Sequence, residues 1–364
     1  MFTGQENAQL RVAKSWDSPR AGTVPVLLCS TLKRVPFERT IFFCPIRLGK
    51  IEIGAAFLYG SDMSSCNLIV VLGPTASGKT GLGVELAKLH NGEIISADSR
   101  QVFRGMDIGT GKDLDEYGTV PYHLIDILDP GAEFSVFAFQ QLFFEAFSEI
   151  RSRKRLPLLV GGTGLYLDAA LRGYRMVEVP ENRELRDELQ ELDNGELRTR
   201  LKNLRPEQHN NTDLTDRDRI IRAIEIAEGE NQASVGRPEP PKLHPVIFGI
   251  RRERSVLRQR ITARLKQRIE AGMIEEVERL HASGVSWDRL DYYGLEYRFI
   301  AKYLQGELNR NDMFQKLNSA IHQFAKRQET WFRRMERLGV TINWLDGESN
   351  MTVQAERILA TYET

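Results

Sequence analysis

Residues 73–80 read GPTASGKT, a complete match to the spacing G-x-x-x-x-G-K-[ST]. A loop of this kind wraps a diphosphate in backbone N–H groups, and the helix behind it adds the positive end of its dipole. Gly73 and Gly78 leave room that a Cβ would fill, and Pro74, Thr75, Ala76 and Ser77 make the wrap between them. Lys79 brings a point charge to the phosphates, and the Thr80 hydroxyl suits Mg²⁺. The motif predicts a diphosphate-bearing ligand without saying which.

Two further residues have the chemistry to act beside such a ligand. Asp98, in SADSRQVF (96–103), sits at the carboxyl end of a β-rich run. There it is either a general base facing the diphosphate or the N-cap of a helix. Thr163 follows two glycines in GGTGLYL (161–167), which fits close approach to a ligand and equally a plain strand–helix turn.

These residues need a scaffold, and the chain alternates strand and helix from Asn67 onward. Strands are predicted at Leu68 to Leu72, Glu93 to Ala97, Tyr122 to Leu128, Leu156 to Val160 and Val246 to Ile250. Helices are predicted behind Thr80 (Leu82, Leu86 and Leu89 on one face) and over Ser135 to Arg153. The expected fold is α/β: a P-loop NTPase-like parallel sheet with a helical insertion and C-terminal helices. In the C-terminal part, Leu257, Ile261, Leu265 and Ile269 recur every four residues. Leu317, Ile321, Phe324, Trp331, Met335 and Leu338 mark a second buried stripe. The organisation read from these patterns is an extension at 1–62, a core at 63–179 and 246–346, and an insertion at 180–235. Met63 lies just before the first strongly patterned segment, and the functional protein is expected to begin near it.

Composition excludes several classes. Three cysteines (Cys29, Cys44 and Cys66) without zinc spacing argue against a disulfide scaffold and fit a reducing compartment. No run of 18 apolar residues occurs, so no membrane helix is expected. Fifty basic residues balance fifty acidic ones, which on its face argues against a nucleic-acid partner. The balance is uneven along the chain, however. Arg251 to Arg337 carries 19 basic and 12 acidic residues, a net +7, and Arg251 to Arg268 alone holds eight basic residues and one acid. A neutral chain can therefore present a basic face.

The strand Leu156 to Val160 ends in GGTG where a nucleoside triphosphatase would place a Mg²⁺-binding Asp, and there is no N-K-x-D string to read guanine. Three readings stay open on the residues alone: a transferase acting on RNA, a P-loop kinase for a small hydroxyl-bearing substrate, and an RNA-binding module with a regulatory nucleotide. The basic C-terminal helices favour the first over the kinase.

Five strings, taken in order, resemble the tRNA dimethylallyltransferases: GPTASGKT, SADSRQVFRGMDIGTGK (96–112), HLIDILDP (123–130), LLVGGTGLYL (158–167) and QFAKRQETWFRR (323–334). The similarity runs from about Asn67 to Asp346. It implies transfer of the dimethylallyl group of dimethylallyl diphosphate to N6 of adenosine 37, next to the tRNA anticodon. Asp98 would be the base, Thr163 would assist, and the loop with Mg²⁺ would hold a diphosphate leaving group rather than ATP. Asp98, Ser99, Arg100 and Gln101 would recognise the extruded adenine. Arg186, Arg219 and Arg222 would contact tRNA from an insertion that closes over the anticodon stem-loop, and Lys326, Arg327, Gln328 and Arg333 from the C-terminal helix. The chain departs from the family pattern at GLEYRF (294–299), where Glu296 replaces the usual basic residue, and at TDRDR (215–219), which keeps Arg219 but loses a basic neighbour. Without the C-terminal zinc finger of eukaryotic relatives, the resemblance points to a bacterial-type, monomeric, cytoplasmic enzyme.

Overall fold

The computed structural model describes residues 41–48, 51–58, 66–173, 176, 178–205, 216–232 and 239–362. They fall in two units, Met1–Ser61 and Asp62–Thr364. In the first, β1 (Ile41–Leu48) and β2 (Ile51–Leu58) pair antiparallel, with Ile41 opposite Leu58 and Leu48 opposite Ile51. The start expected near Met63 lies outside the described residues.

The second unit is built on a six-stranded sheet in which every pairing is parallel. Its strands are β3 (Leu68–Leu72), β4 (Gly92–Ala97), β5 (Tyr122–His123), β6 (Leu156–Gly161), β7 (Pro245–Arg251) and β8 (Asn343–Asp346), in the order β5-β4-β6-β3-β7-β8. Residues of β3, β4 and β6 are buried throughout, as expected of strands covered on both faces. One face packs on α1 (Lys79–Leu89) and α12 (Met351–Leu359). The other packs on α2 (Val136–Ser152), α3 (Gly164–Arg172) and part of α11 (Arg310–Arg337), with Phe139, Phe143 and Phe332 fully buried.

The third strand is shorter than its apolar run predicts. Only Tyr122 and His123 pair, because Leu124 and Asp126 adopt φ of 62° and 55° and turn the chain. At the opposite edge lies β8, a strand beyond those that the apolar runs predict.

A second core gathers α7 (Arg254–Glu270), α8 (Met273–Ala282), α9 (Trp287–Tyr292), α10 (Leu295–Leu304) and the first half of α11. Leu257, Ile261 and Leu265 are buried there, as their spacing predicts. On α11 the buried face is Met313, Leu317, Ile321, Ala325, Gln328, Phe332 and Met335, whereas Phe324 and Leu338 are exposed. The predicted stripe therefore has the right pitch but drifts by one residue at its centre. The insertion is a small cluster of α4 (Arg183–Gln190), α5 (Asn194–Leu204) and α6 (Arg217–Gln232), closed on its own core of Leu189, Leu197, Leu201, Ile220 and Ile224.

Candidate active site

β3, β4 and β6 end on the same edge of the sheet, where open parallel sheets bind ligands. Gly73 to Thr80 leave β3 and turn into α1, with left-handed backbone at Ala76 (φ 62°) and Gly78 (φ 98°). A Cβ on Gly73 would lie 2.6 Å from Ser77 Oγ, so the loop closes this tightly only with glycine there.

Three side-chain ties join the strand ends. The Thr75 N–H donates to Gln328 Oε1 (2.8 Å), and Gln328 Nε2 donates to the Gly162 carbonyl (2.9 Å). The Ser99 N–H donates to Thr163 Oγ1 (3.2 Å), while the Thr163 N–H donates to the Ala97 carbonyl (3.2 Å). Gln101 accepts from Ser96 Oγ (2.8 Å) and donates to the Gly111 carbonyl (3.2 Å). Phosphate loop, Asp98 turn and Thr163 turn are thereby one assembly.

Asp98 is half-buried, and its Oδ1 accepts the Arg100 N–H at 2.9 Å. That is a local turn bond of the kind Asp makes in an Asx turn, and no helix follows it, so the helix-cap alternative falls away. The Arg100 guanidinium lies 5.1 Å from the centre of the exposed Tyr292 ring.

The mouth of the loop opens into a cavity of about 710 Å³, lined by Lys79, Thr80, Lys112, Asp113, Asp115, Glu116, Arg260, Arg264 and Arg268 among others. The arginines come from α7 at four-residue spacing, on the flank of the helix beside the buried row Leu257, Ile261 and Leu265. Arg260 Nε donates to the Ala76 carbonyl (2.9 Å), Arg252 Nε to the Ser77 carbonyl (2.7 Å), and Arg264 pairs with Asp113. The basic run expected to present an outward face thus turns three of its arginines to the phosphate loop. Its signal was the i, i+4 recurrence at 260, 264 and 268, which makes a row along one side of a helix.

Burial lowers the Lys79 ammonium to about 8, with Arg264 and Arg268 acting in the same direction and Asp98 against them. A bound diphosphate would restore the charge. Relative to a Lys79→Arg variant, whose charge does not titrate here, pyrophosphate affinity is expected to fall above pH 8, by up to about tenfold per unit. Isothermal titration between pH 7 and 9.5 measures this, and a constant ratio would contradict it.

For Mg²⁺, the Thr80 hydroxyl and the Asp113, Asp115 and Glu116 carboxylates line the cavity that the phosphate loop faces. One or two oxygen ligands beside phosphate oxygens are what Mg²⁺ takes in such sites, so the residues fit. Among the described residues no cluster of three His, Cys, Asp or Glu could hold a metal by itself.

The residues expected to meet RNA divide. Lys326, Arg327 and Arg333 are exposed on α11, and Arg219 is exposed on α6. Gln328 is buried and engaged with backbone on both sides, which corrects its assignment as a surface contact. Arg186 and Arg222 both pair with the buried Glu225, and Arg222 also donates to the Val179 carbonyl (2.8 Å). Those two arginines hold the insertion together. Trp331 is half-buried with its ring edge over Gly164, as part of the packing.

Such a fold and site define an α/β protein of P-loop type with a cationic cavity at the mouth of the loop. Residues 101–335 match the family described as IPP transferase, and the chain belongs to that family. It is 64% identical over 299 residues to tRNA dimethylallyltransferase 2 of Trichlorobacter lovleyi, covering 82% of this chain and 98% of that one. It is 66% identical over 283 residues to tRNA dimethylallyltransferase 2 of Syntrophotalea carbinolica, covering 78% and 95%. The crystal structure of the full-length tRNA isopentenylpyrophosphate transferase from Bacillus halodurans superposes with a TM-score of 0.61 at 34% identity, covering 82% of this chain and 96% of that chain. The chain is thus a prenyl-transferring, tRNA-modifying enzyme. Among the described residues no helix is long and apolar enough to cross a membrane.

Proposed function

We propose that the enzyme transfers the dimethylallyl group of dimethylallyl diphosphate to N6 of adenosine 37 in the tRNA anticodon stem-loop. The observation that carries this reading is the assembly of three strand ends, with a phosphate loop on β3, a carboxylate on β4 and a hydroxyl on β6 between them. Asp98 Oδ1 is held by the Arg100 N–H, which leaves Oδ2 to take the N6 proton as the allylic carbon is attacked. Thr163 Oγ1 accepts from Ser99, which leaves its own O–H free to donate. Lys79, Arg260 and Arg264 face the place where negative charge develops as the C–O bond to diphosphate breaks. Mg²⁺ held at Thr80 would supply further electrostatic stabilisation of that leaving group.

An exocyclic amine stacked inside a loop cannot reach this pocket, so the adenine enters extruded, between the Asp98 turn and Gln101. The exposed Lys326, Arg327, Arg333 and Arg219 then contact tRNA phosphates, while Arg186 and Arg222 shape the insertion that closes over them. One chain carries all these groups, which supports a monomer acting where tRNA is processed, in the cytoplasm.

Incubation with dimethylallyl diphosphate, Mg²⁺ and unmodified tRNA should yield N6-isopentenyladenosine at position 37. Absence of that nucleoside, with ATP-dependent phosphorylation of a metabolite instead, would replace this reading with a kinase. The tRNA contacts have their own check. Log affinity should fall linearly with log salt, and Lys326→Ala or Arg333→Ala should each flatten the slope by about 0.7 to 0.9. Slopes equal to that of the parent would remove those side chains from the interface.

A further inference from the structure

Arg268 is unlike the two arginines that precede it on α7. Arg260 and Arg264 have partners on the loops beside them, whereas the Arg268 Nε is buried with no hydrogen-bond partner among the described residues. Its anionic neighbour, Glu296, stands 4.0 Å away, beyond hydrogen-bond reach. Both side chains are largely out of water, 13% and 21% exposed. A buried guanidinium with an unmet N–H and a distant counterion is a costly arrangement to keep without a purpose.

The backbone makes room for it. Gly111 has a φ of +63°, and a Cβ there would fall 1.4 Å from an Arg268 guanidinium nitrogen, so glycine lets the side chain lie across the Gly109–Gly111 turn. From that position Arg268 lines the same cavity as Lys79 and Thr80. Glu296 sits at the start of α10, across from this guanidinium. Burial and Arg264 lower the Arg268 pKa, so an anion in the cavity would favour its charged form, while burial raises the pKa of Glu296.

We infer that Arg268 is a diphosphate-binding residue of this enzyme and that Glu296 is its positioning residue. The inference rests on the proposed reading of the loop as a diphosphate site. Arg268 would meet phosphate oxygens from its place in the cavity lining, and Glu296 would hold the guanidinium there by charge.

The test is the binding of inorganic pyrophosphate with Mg²⁺ to the full chain, without tRNA. Lys79→Ala reports on the loop, and Arg268→Met, Arg268→Lys, Glu296→Gln and the double variant Arg268→Met/Glu296→Gln report on the pair. Arg268→Met is expected to weaken pyrophosphate by roughly 10- to 100-fold, as loss of a charge-assisted contact does, with partial recovery in Arg268→Lys. Glu296→Gln should weaken it by several-fold in the parent and not further in the Arg268→Met background, and should raise KM for dimethylallyl diphosphate more than it lowers kcat. A thermal melt of each variant separates misfolding from lost contact, and Arg268→Lys keeps the inference testable if Arg268→Met does not fold. If Lys79→Ala weakens pyrophosphate but a folded Arg268→Met or Arg268→Lys binds it like the parent, the inference is wrong and the loop reading stands. If Lys79→Ala also binds like the parent, the loop reading itself fails. Additive effects of Arg268→Met and Glu296→Gln would overturn the positioning role alone.

Discussion

Replacing Asp98 by Asn should leave pyrophosphate binding within about twofold of the parent and reduce kcat by roughly 10²- to 10⁴-fold, the range in which a general base contributes. Asn keeps the acceptor that the Arg100 N–H uses at 2.9 Å, so the turn that carries residue 98 should persist. What is lost is a group that can take a proton from N6. Single-turnover transfer with enzyme in excess over tRNA isolates this step from product release. Turnover within threefold of the parent would reduce Asp98 to a turn residue and send the search for a base elsewhere along the strand ends.

The second large effect is expected in stability, at a residue with no visible sequence signature. Glu276, on α8, is buried and accepts N–H bonds from Asp107 (2.9 Å), Ile108 (2.7 Å) and Gly109 (3.0 Å), together with the Tyr297 hydroxyl (2.7 Å). One carboxylate therefore anchors the loop whose Asp107 and Ile108 line the cavity and whose Gly111 receives Gln101. Glu276→Ala leaves those donors facing an empty volume and should cost about 3–5 kcal/mol, with Glu276→Gln retaining part of the loss. Urea unfolding followed by circular dichroism measures both. A loss below about 1 kcal/mol for Glu276→Ala would mean that water replaces the carboxylate.

What could be read from the sequence was whatever is encoded locally. GPTASGKT fixes a loop because its glycines and lysine act within eight residues, and the buried strands Leu68 to Leu72 and Leu156 to Val160 announce themselves by composition. Asp98 could be placed at a strand end by the same means. Glu276 could not, since Glu275 and Glu278 beside it look alike and only tertiary packing decides which points inward. On α11, a three–four alternation allows either Phe324 or Ala325 inside. Hydropathy favours the phenylalanine, yet Ala325 and Gln328 are the buried pair. The apolar run after Tyr122 suggested a full strand because composition carries no mark of the positive φ at Leu124 and Asp126.

Gln328 also bears on how two substrates could be aligned in time. It is planted on the same helix whose outer face carries Lys326, Arg327 and Arg333, and its amide grips both the phosphate loop and the turn that leads to Thr163. A displacement reaction demands that nucleophile and leaving group stand in line on opposite sides of one carbon. With helix, loop and turn fastened by one side chain, the spacing between the phosphate loop and the Thr163 turn is set when the chain folds. The helix acts as a gauge, cut to length before either substrate arrives.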